Sequence, residues 1–181
     1  MLTVGLAAIG TCILCRRSLR SLGWVWGSWK YQWVSYLIPL VYCSIAYFAI
    51  WGLGLGTWYD QGFIEALRTG YQVDHWTDGA IIAFRFAVTA TVSFALLLPG
   101  VIGEEIGWRG LLVPELSKSM SFSQVSLISG FIWAVWHWPI MFLGFYSNSE
   151  VPIGYQVTFF SLGLLSMSVV MTYIRYQTGS L

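Results

Sequence analysis

Charge is what this sequence has least of. Asp, Glu, Lys and Arg together make up 9% of its 181 residues, against about 25% in a soluble domain. The scarcity is also uneven: residues 31–59, 119–149 and 151–174 hold no Asp, Glu, Lys or Arg. Each run is long enough to cross a bilayer core, which takes roughly 20 residues. A net charge of +1 gives no electrostatic basis for binding nucleic acid. Cysteine is scarce too. Cys12, Cys15 and Cys43 make no disulfide framework. Cys12 and Cys15 form a C-x-x-C, but in an apolar helical stretch rather than beside a βαβ pattern. They read as small packing residues, with reversible acylation near the membrane surface as the other reading. No internal repeat, low-complexity tract or soluble domain is present.

What is abundant is apolar surface: 57% hydrophobic and 18% aromatic residues. About five membrane segments are expected, at roughly 2–15, 33–53, 84–114, 122–145 and 155–174. Backbone polar groups in hydrocarbon must satisfy one another, and the runs lack the alternation of barrel strands, so the segments are helices. The fold class is therefore all-α, a polytopic transmembrane helix bundle, integral to the membrane and multi-pass. Residues 1–80 are expected to hold N-terminal membrane helices and an outward loop, and 81–181 a functional core. The first segment is short for a span and is followed, not preceded, by Arg16 and Arg17. That order is the reverse of a signal peptide. It reads as the tail of a helix with its start missing.

Orientation follows from the cations. Arg16, Arg17, Arg20 and Lys30 mark the first loop as cytoplasmic. The region 54–83 carries Asp60, Glu65, Arg68, Asp74, His75 and Asp78, is poor in positive charge, and is expected outside. Lys118 then falls inside, the 146–152 loop outside, and Arg175 inside.

Against this background a few ionisable groups stand in costly places. Glu104, Glu105 and Arg109 occupy one apolar stretch and His137 another. A charge at the centre of a membrane helix costs on the order of 2.5–3.5 kcal/mol on insertion scales. Glu104 precedes Glu115, near the cytoplasmic edge, by about three turns, and His137 follows Phe122 by about four. At about 1.5 Å per residue, both are expected roughly 16–22 Å below that surface. Helices joined by a short loop are antiparallel neighbours, so the acid and the imidazole are expected to meet. Arg85, near the outer end of its segment, is free to snorkel.

Helical spacing suggests a division of labour. Gly103, Gly107 and Gly110 form one strip, where another backbone can approach closely. Glu105 and Arg109 are i, i+4 partners in the favourable order. They read as an internal ion pair. Glu104 has no evident local partner and is the better candidate for a general base. On the second helix Trp133 and His137 share a face, and Pro139 frees a carbonyl and bends the chain near the imidazole. The tryptophans read mainly as packing or lipid-facing bulk, and secondarily as lining for an apolar substrate. The alternative is that these charges only hold helices together. No cofactor is required by these residues. Zinc is the remaining possibility, with Glu104 and His137 as ligands. It usually takes a third protein ligand, which Glu105 supplies only by leaving Arg109.

The run Glu104-Glu105-Ile106-Gly107-Trp108-Arg109-Gly110-Leu111 resembles the motif E-E-x-x-W-R-G-x-L of the CAAX protease and bacteriocin-processing (CPBP, or Abi) family of intramembrane endopeptidases. Trp133 to His137 resembles that family's F-x-x-x-H, with Trp133 in the aromatic position. The likeness covers roughly residues 85–181 and extends to the CAAX prenyl protease type 2 branch. It implies endoproteolysis of a membrane-associated or lipidated, CAAX-like protein or peptide in a lipid bilayer. It implies Glu104 and His137 as water-activating residues and Glu105 and Arg109 as their support. The wording of the motifs is closer to bacterial members, which points to a bacterial cell membrane. Some of those are linked to bacteriocin self-immunity, so a non-catalytic scaffold or immunity protein is the alternative function. A transporter piece with a proton-relay carboxylate is disfavoured, because no paired interrupted helices or inverted repeat occur. The family's third motif, with a further histidine, has no counterpart before Leu181. On that ground the chain is expected to be a fragment or a shortened member.

Overall fold

The computed structural model describes residues 2–181, which form helices and turns with no strand among them. We number the helices α1 (Leu2–Leu14), α2 (Trp29–Gly52), α3 (Gln61–Tyr71), α4 (Asp78–Leu116), α5 (Phe122–Phe142) and α6 (Ile153–Thr178). Four of them, α2, α4, α5 and α6, are long and apolar enough to cross a membrane. The chain is thus an all-α, multi-pass membrane protein. α1 is apolar but only 13 residues long.

The chain divides into two compact units, one of residues 33–99 and one of residues 2–32 with 100–181. In the first, the segment expected as an outward loop contains α3. Asp60 caps this helix by accepting the Phe63 N–H at 3.0 Å. Ile64 is buried on its inner face, and Arg68 ties it down by donating to Glu65 (3.0 Å), to Asp78 and to the Trp76 carbonyl (3.1 Å). A span-length search misses it, because a one-sided helix of 11 residues never forms a continuous apolar run. Thr77 caps α4 by accepting the Ala80 N–H, so α4 starts about a turn before its apolar stretch. At its outer end Arg85 donates to the Tyr71 hydroxyl at 3.2 Å.

The second unit is built on two close contacts. α5 and α6 run antiparallel, Ser129 bonding Ser168 at 2.9 Å and Trp138 Nε1 donating to Ser161 at 3.0 Å. Between them a Cβ on Gly130 would come within 2.8 Å of the Ser168 Cβ. The other contact is α1 against the glycine strip of α4. A Cβ on Gly5 would stand 2.6 Å from the Gly103 carbonyl oxygen, and one on Gly107 would stand 2.2 Å from Val4 Cγ1 and 3.0 Å from its carbonyl oxygen. The turn after α1 continues the seam, with the Leu22 carbonyl oxygen 3.1 Å from where a Gly110 Cβ would lie. Without a hydrophobic drive between helices in lipid, such close backbone packing is what holds them together. Cys12 is fully buried here among Ala8, Leu22 and Ile106, in the packing role expected of it, whereas Cys15, expected in the same role, is exposed.

Three segments expected on the cytoplasmic side converge at one end of this unit. Arg17 forms a two-pronged bond with Glu115, which also takes Lys118 Nζ at 2.7 Å. That bond, and then the charge attraction behind it, holds the Arg17 guanidinium above its ordinary pKa. The Leu181 N–H donates to the Gly23 carbonyl at 2.9 Å and the Ser180 hydroxyl to that of Val25.

Replacing Gly107 by Val should lower the thermal midpoint in detergent, by about 1–3 kcal/mol of lost stability. Gly10→Ala, where a Cβ meets nothing within 4 Å, should leave it level or slightly higher. Equal midpoints for the two variants would show that α1 does not seat on the strip.

Candidate active site

The four ionisable residues singled out by the sequence all fall in one region of the second unit. Glu104 and Glu105 end the regular part of α4, and over Ile106–Leu112 the helix widens into π geometry. The Val113 N–H reaches back to the Trp108 carbonyl, five residues earlier. Pro114 follows directly, with no N–H to offer the Gly110 carbonyl and a ring that crowds it, so a wider turn relieves the conflict. The π turn carries Trp108 and Arg109, both buried.

Glu105 and Arg109 form the expected ion pair, 3.1 Å between Oε1 and Nη1, with both side chains largely buried. The guanidinium makes two further contacts. It stacks on the indole of Trp133, Cζ 4.2 Å from the ring centroid, and another amino group contacts the Met171 sulfur. Such a cation–π contact is strengthened by desolvation. Val4, Trp108 and Trp133 pack around it with Leu164 and Met167, so α1 helps to seal the charge from lipid.

Glu104 and His137 are brought together as their depths predict. Their exposures are 7% and 6%, and Glu104 Oε1 faces His137 Nε2 at 4.0 Å. That is too long for a direct hydrogen bond. The other atoms of both groups are committed. Glu104 Oε2 accepts the Trp133 Nε1–H at 3.0 Å. His137 Nδ1 is 2.9 Å from the Trp133 carbonyl oxygen. A carbonyl only accepts, so Nδ1 carries a hydrogen, and in the neutral form of the ring the lone pair is at Nε2. The imidazole is held among Phe160, Tyr146 and Trp133, with ring centroids 5.3, 6.1 and 6.4 Å away. Glu104 Oε1, in contrast, is buried without any hydrogen-bond partner. The indole contact was not visible in the sequence, where Trp133 reads as bulk. Its shared face with His137 was the one available signal.

A cavity of about 610 Å³ is lined in part by Glu104 and His137. Glu104 and His137 supply its polar wall; Phe131, Ile132, Val135, Trp136, Pro139 and Ile140 of α5, with Thr3 of α1, supply the rest. Phe131 and Trp136 are about half exposed, so the cavity is largely apolar and lies at the exposed face of α5.

Zinc fits this donor set poorly. Glu104 and His137 are two donors, Glu105 is held by Arg109, and no cluster of three His, Cys, Asp or Glu occurs among the described residues. A catalytic zinc takes three protein ligands. The described residues fall one short of that number.

The model of the type II CAAX prenyl endopeptidase Rce1-like family matches residues 85–181, more than half of the chain. The chain belongs to that family. CAAX prenyl protease 2 of Methanococcus maripaludis is similar, at 31% identity over 94 residues, covering 50% of this chain and 34% of the relative. The chain thus matches about a third of that relative's length. No solved structure matches it. The Rce1-like match contains Glu104, Glu105, Arg109, Trp133 and His137, and the four spans agree with an integral membrane family.

Glu105→Gln should leave Arg109 buried without a counter-charge, at a cost of about 3–5 kcal/mol. Its abundance in membranes should fall well below wild type, and Glu105→Gln with Arg109→Met should recover much of it. Normal abundance of the single variant would show that the pair is not what makes Arg109 tolerable.

Proposed function

We propose that this chain carries the water-activating half of an intramembrane endopeptidase site, acting on a lipidated, CAAX-like or membrane-embedded peptide. One observation carries the reading: Glu104 Oε1, buried without a hydrogen-bond partner in the protein, faces His137 Nε2 at 4.0 Å. A water oxygen about 2.8 Å from both, with its two hydrogens directed at them, fits that separation at an angle of about 90°. In that orientation its lone pairs point away from both bases, toward the cavity. The water is both held and made nucleophilic.

The reaction is then peptide hydrolysis. The water oxygen forms a bond to the scissile carbonyl carbon as Glu104 Oε1 takes one proton. As the tetrahedral adduct collapses, the C–N bond breaks and Glu104 returns that proton to the leaving nitrogen. The second proton passes through His137 Nε2 to the same nitrogen, so the products are a carboxylate and an ammonium. Glu105 and Arg109 do not touch the water; they stabilise the wall on which Glu104 stands. The apolar lining and the opening at α5 favour a substrate that arrives from the bilayer.

Glu104→Gln and His137→Ala, compared with wild type on a farnesylated CAAX peptide in lipid vesicles, test this. Each should lose at least about a hundredfold in kcat, with unchanged membrane abundance. Full cleavage, or a full cellular phenotype, in both variants would overturn the enzymatic reading in favour of a non-catalytic scaffold or immunity protein.

A further inference from the structure

Trp133 touches Glu104, His137 and Arg109. Its Nε1–H donates to Glu104 Oε2 at 3.0 Å, its backbone carbonyl takes His137 Nδ1 at 2.9 Å, and its ring face receives the Arg109 guanidinium at 4.2 Å. At 8% exposure it is as buried as the residues it holds. Resting on the water-activation reading above, we infer that Trp133 is a positioning residue that selects Oε1 of Glu104 as the base.

The argument is one of rotation. The terminal torsion of a glutamate is broad, so a carboxylate held at no atom sweeps its two oxygens through many directions. The indole N–H pins one oxygen. Planarity then fixes the other, and it faces His137 Nε2. Without that bond the oxygen opposite the imidazole would be aligned only part of the time. Misplacement by about an ångström is enough to cost a large factor in rate.

Arg109 acts through the same ring. Its charge is engaged by Glu105 at 3.1 Å, so it does not neutralise Glu104 by direct contact. Stacked on the indole, it fixes the ring's plane and draws electron density from the ring, which makes Nε1–H a better donor. His137 is set by the main chain of the same residue. The water-binding pair is therefore referenced to a single residue of α5, through side chain and backbone.

The test separates the N–H from the ring. Trp133→Phe keeps an aromatic face for Arg109 and the carbonyl for His137 but has no N–H. Replacement of Trp133 by its benzothienyl isostere, with sulfur in place of N–H, keeps the full ring shape as well. In vesicles both variants of the full chain should cleave the farnesylated peptide with kcat lowered roughly tenfold to a hundredfold, the loss of one charge-assisted hydrogen bond. KM and membrane abundance should not change. A second measurement needs no turnover: among the indole N–H resonances, the one lost in Trp133→Phe should move upfield in Glu104→Gln, where the acceptor loses its charge. An unmoved resonance overturns the inference. So does wild-type kcat in the isostere while Glu104→Gln is inactive. Retained cleavage by Glu104→Gln instead overturns the water-activation reading itself.

Discussion

A guanidinium in the interior of a membrane protein has no water to fall back on, and Arg109 sets the terms for everything around it. Its positive charge is met by Glu105, one turn before it on α4, and its flat face by the ring of Trp133 on α5. Because both partners are needed, α4 and α5 are fixed in rotation as well as in depth. That rotation is what turns the remaining acid, Glu104, toward His137. The costly charge thus has a structural consequence out of proportion to its own stability, which a buried pair seldom improves.

Two kinds of adhesion hold the second unit, and they divide by location. Along the glycine seams the contacts are small residues and van der Waals packing, as at Gly5–Gly103 and Gly130–Ser168. Around Arg109 the contacts are polar and directional. The stretch that matches the Rce1-like family holds the polar contacts and the Gly130–Ser168 contact, while Gly5 of the other seam lies before it. The apolar cavity wall belongs to α5, the same helix that supplies His137 and Trp133.

Much of this was legible in the sequence because it is local or one-dimensional. Span-length apolar runs marked α2, α4, α5 and α6. The pairing of Glu105 with Arg109 follows from i, i+4 spacing, and the meeting of Glu104 with His137 from counting residues to a common membrane edge. What was hidden depends on how helices are turned about their axes. The π turn at Ile106–Leu112 shifts the angular register just where the motif begins, so a uniform wheel cannot say which residue faces Trp133. The indole bond to Glu104 is of this kind. α3 escaped for a different reason: its apolar side is narrow, and its anchor is an ion network rather than a hydrophobic run.

The seam between α1 and the glycines of α4 bears on how the protein is made. Gly5 and Gly103 touch backbone to backbone, yet at roughly 5–20 residues per second a ribosome needs several seconds to produce the second after the first. Throughout that interval the residues of α1 exist without their mate. The groove that receives them is complete only once the acid-bearing helix has been delivered. Assembly of this end of the bundle is therefore a late event in biosynthesis, and a fault in α1 would declare itself at the same moment as a fault in the helix that bears the acids.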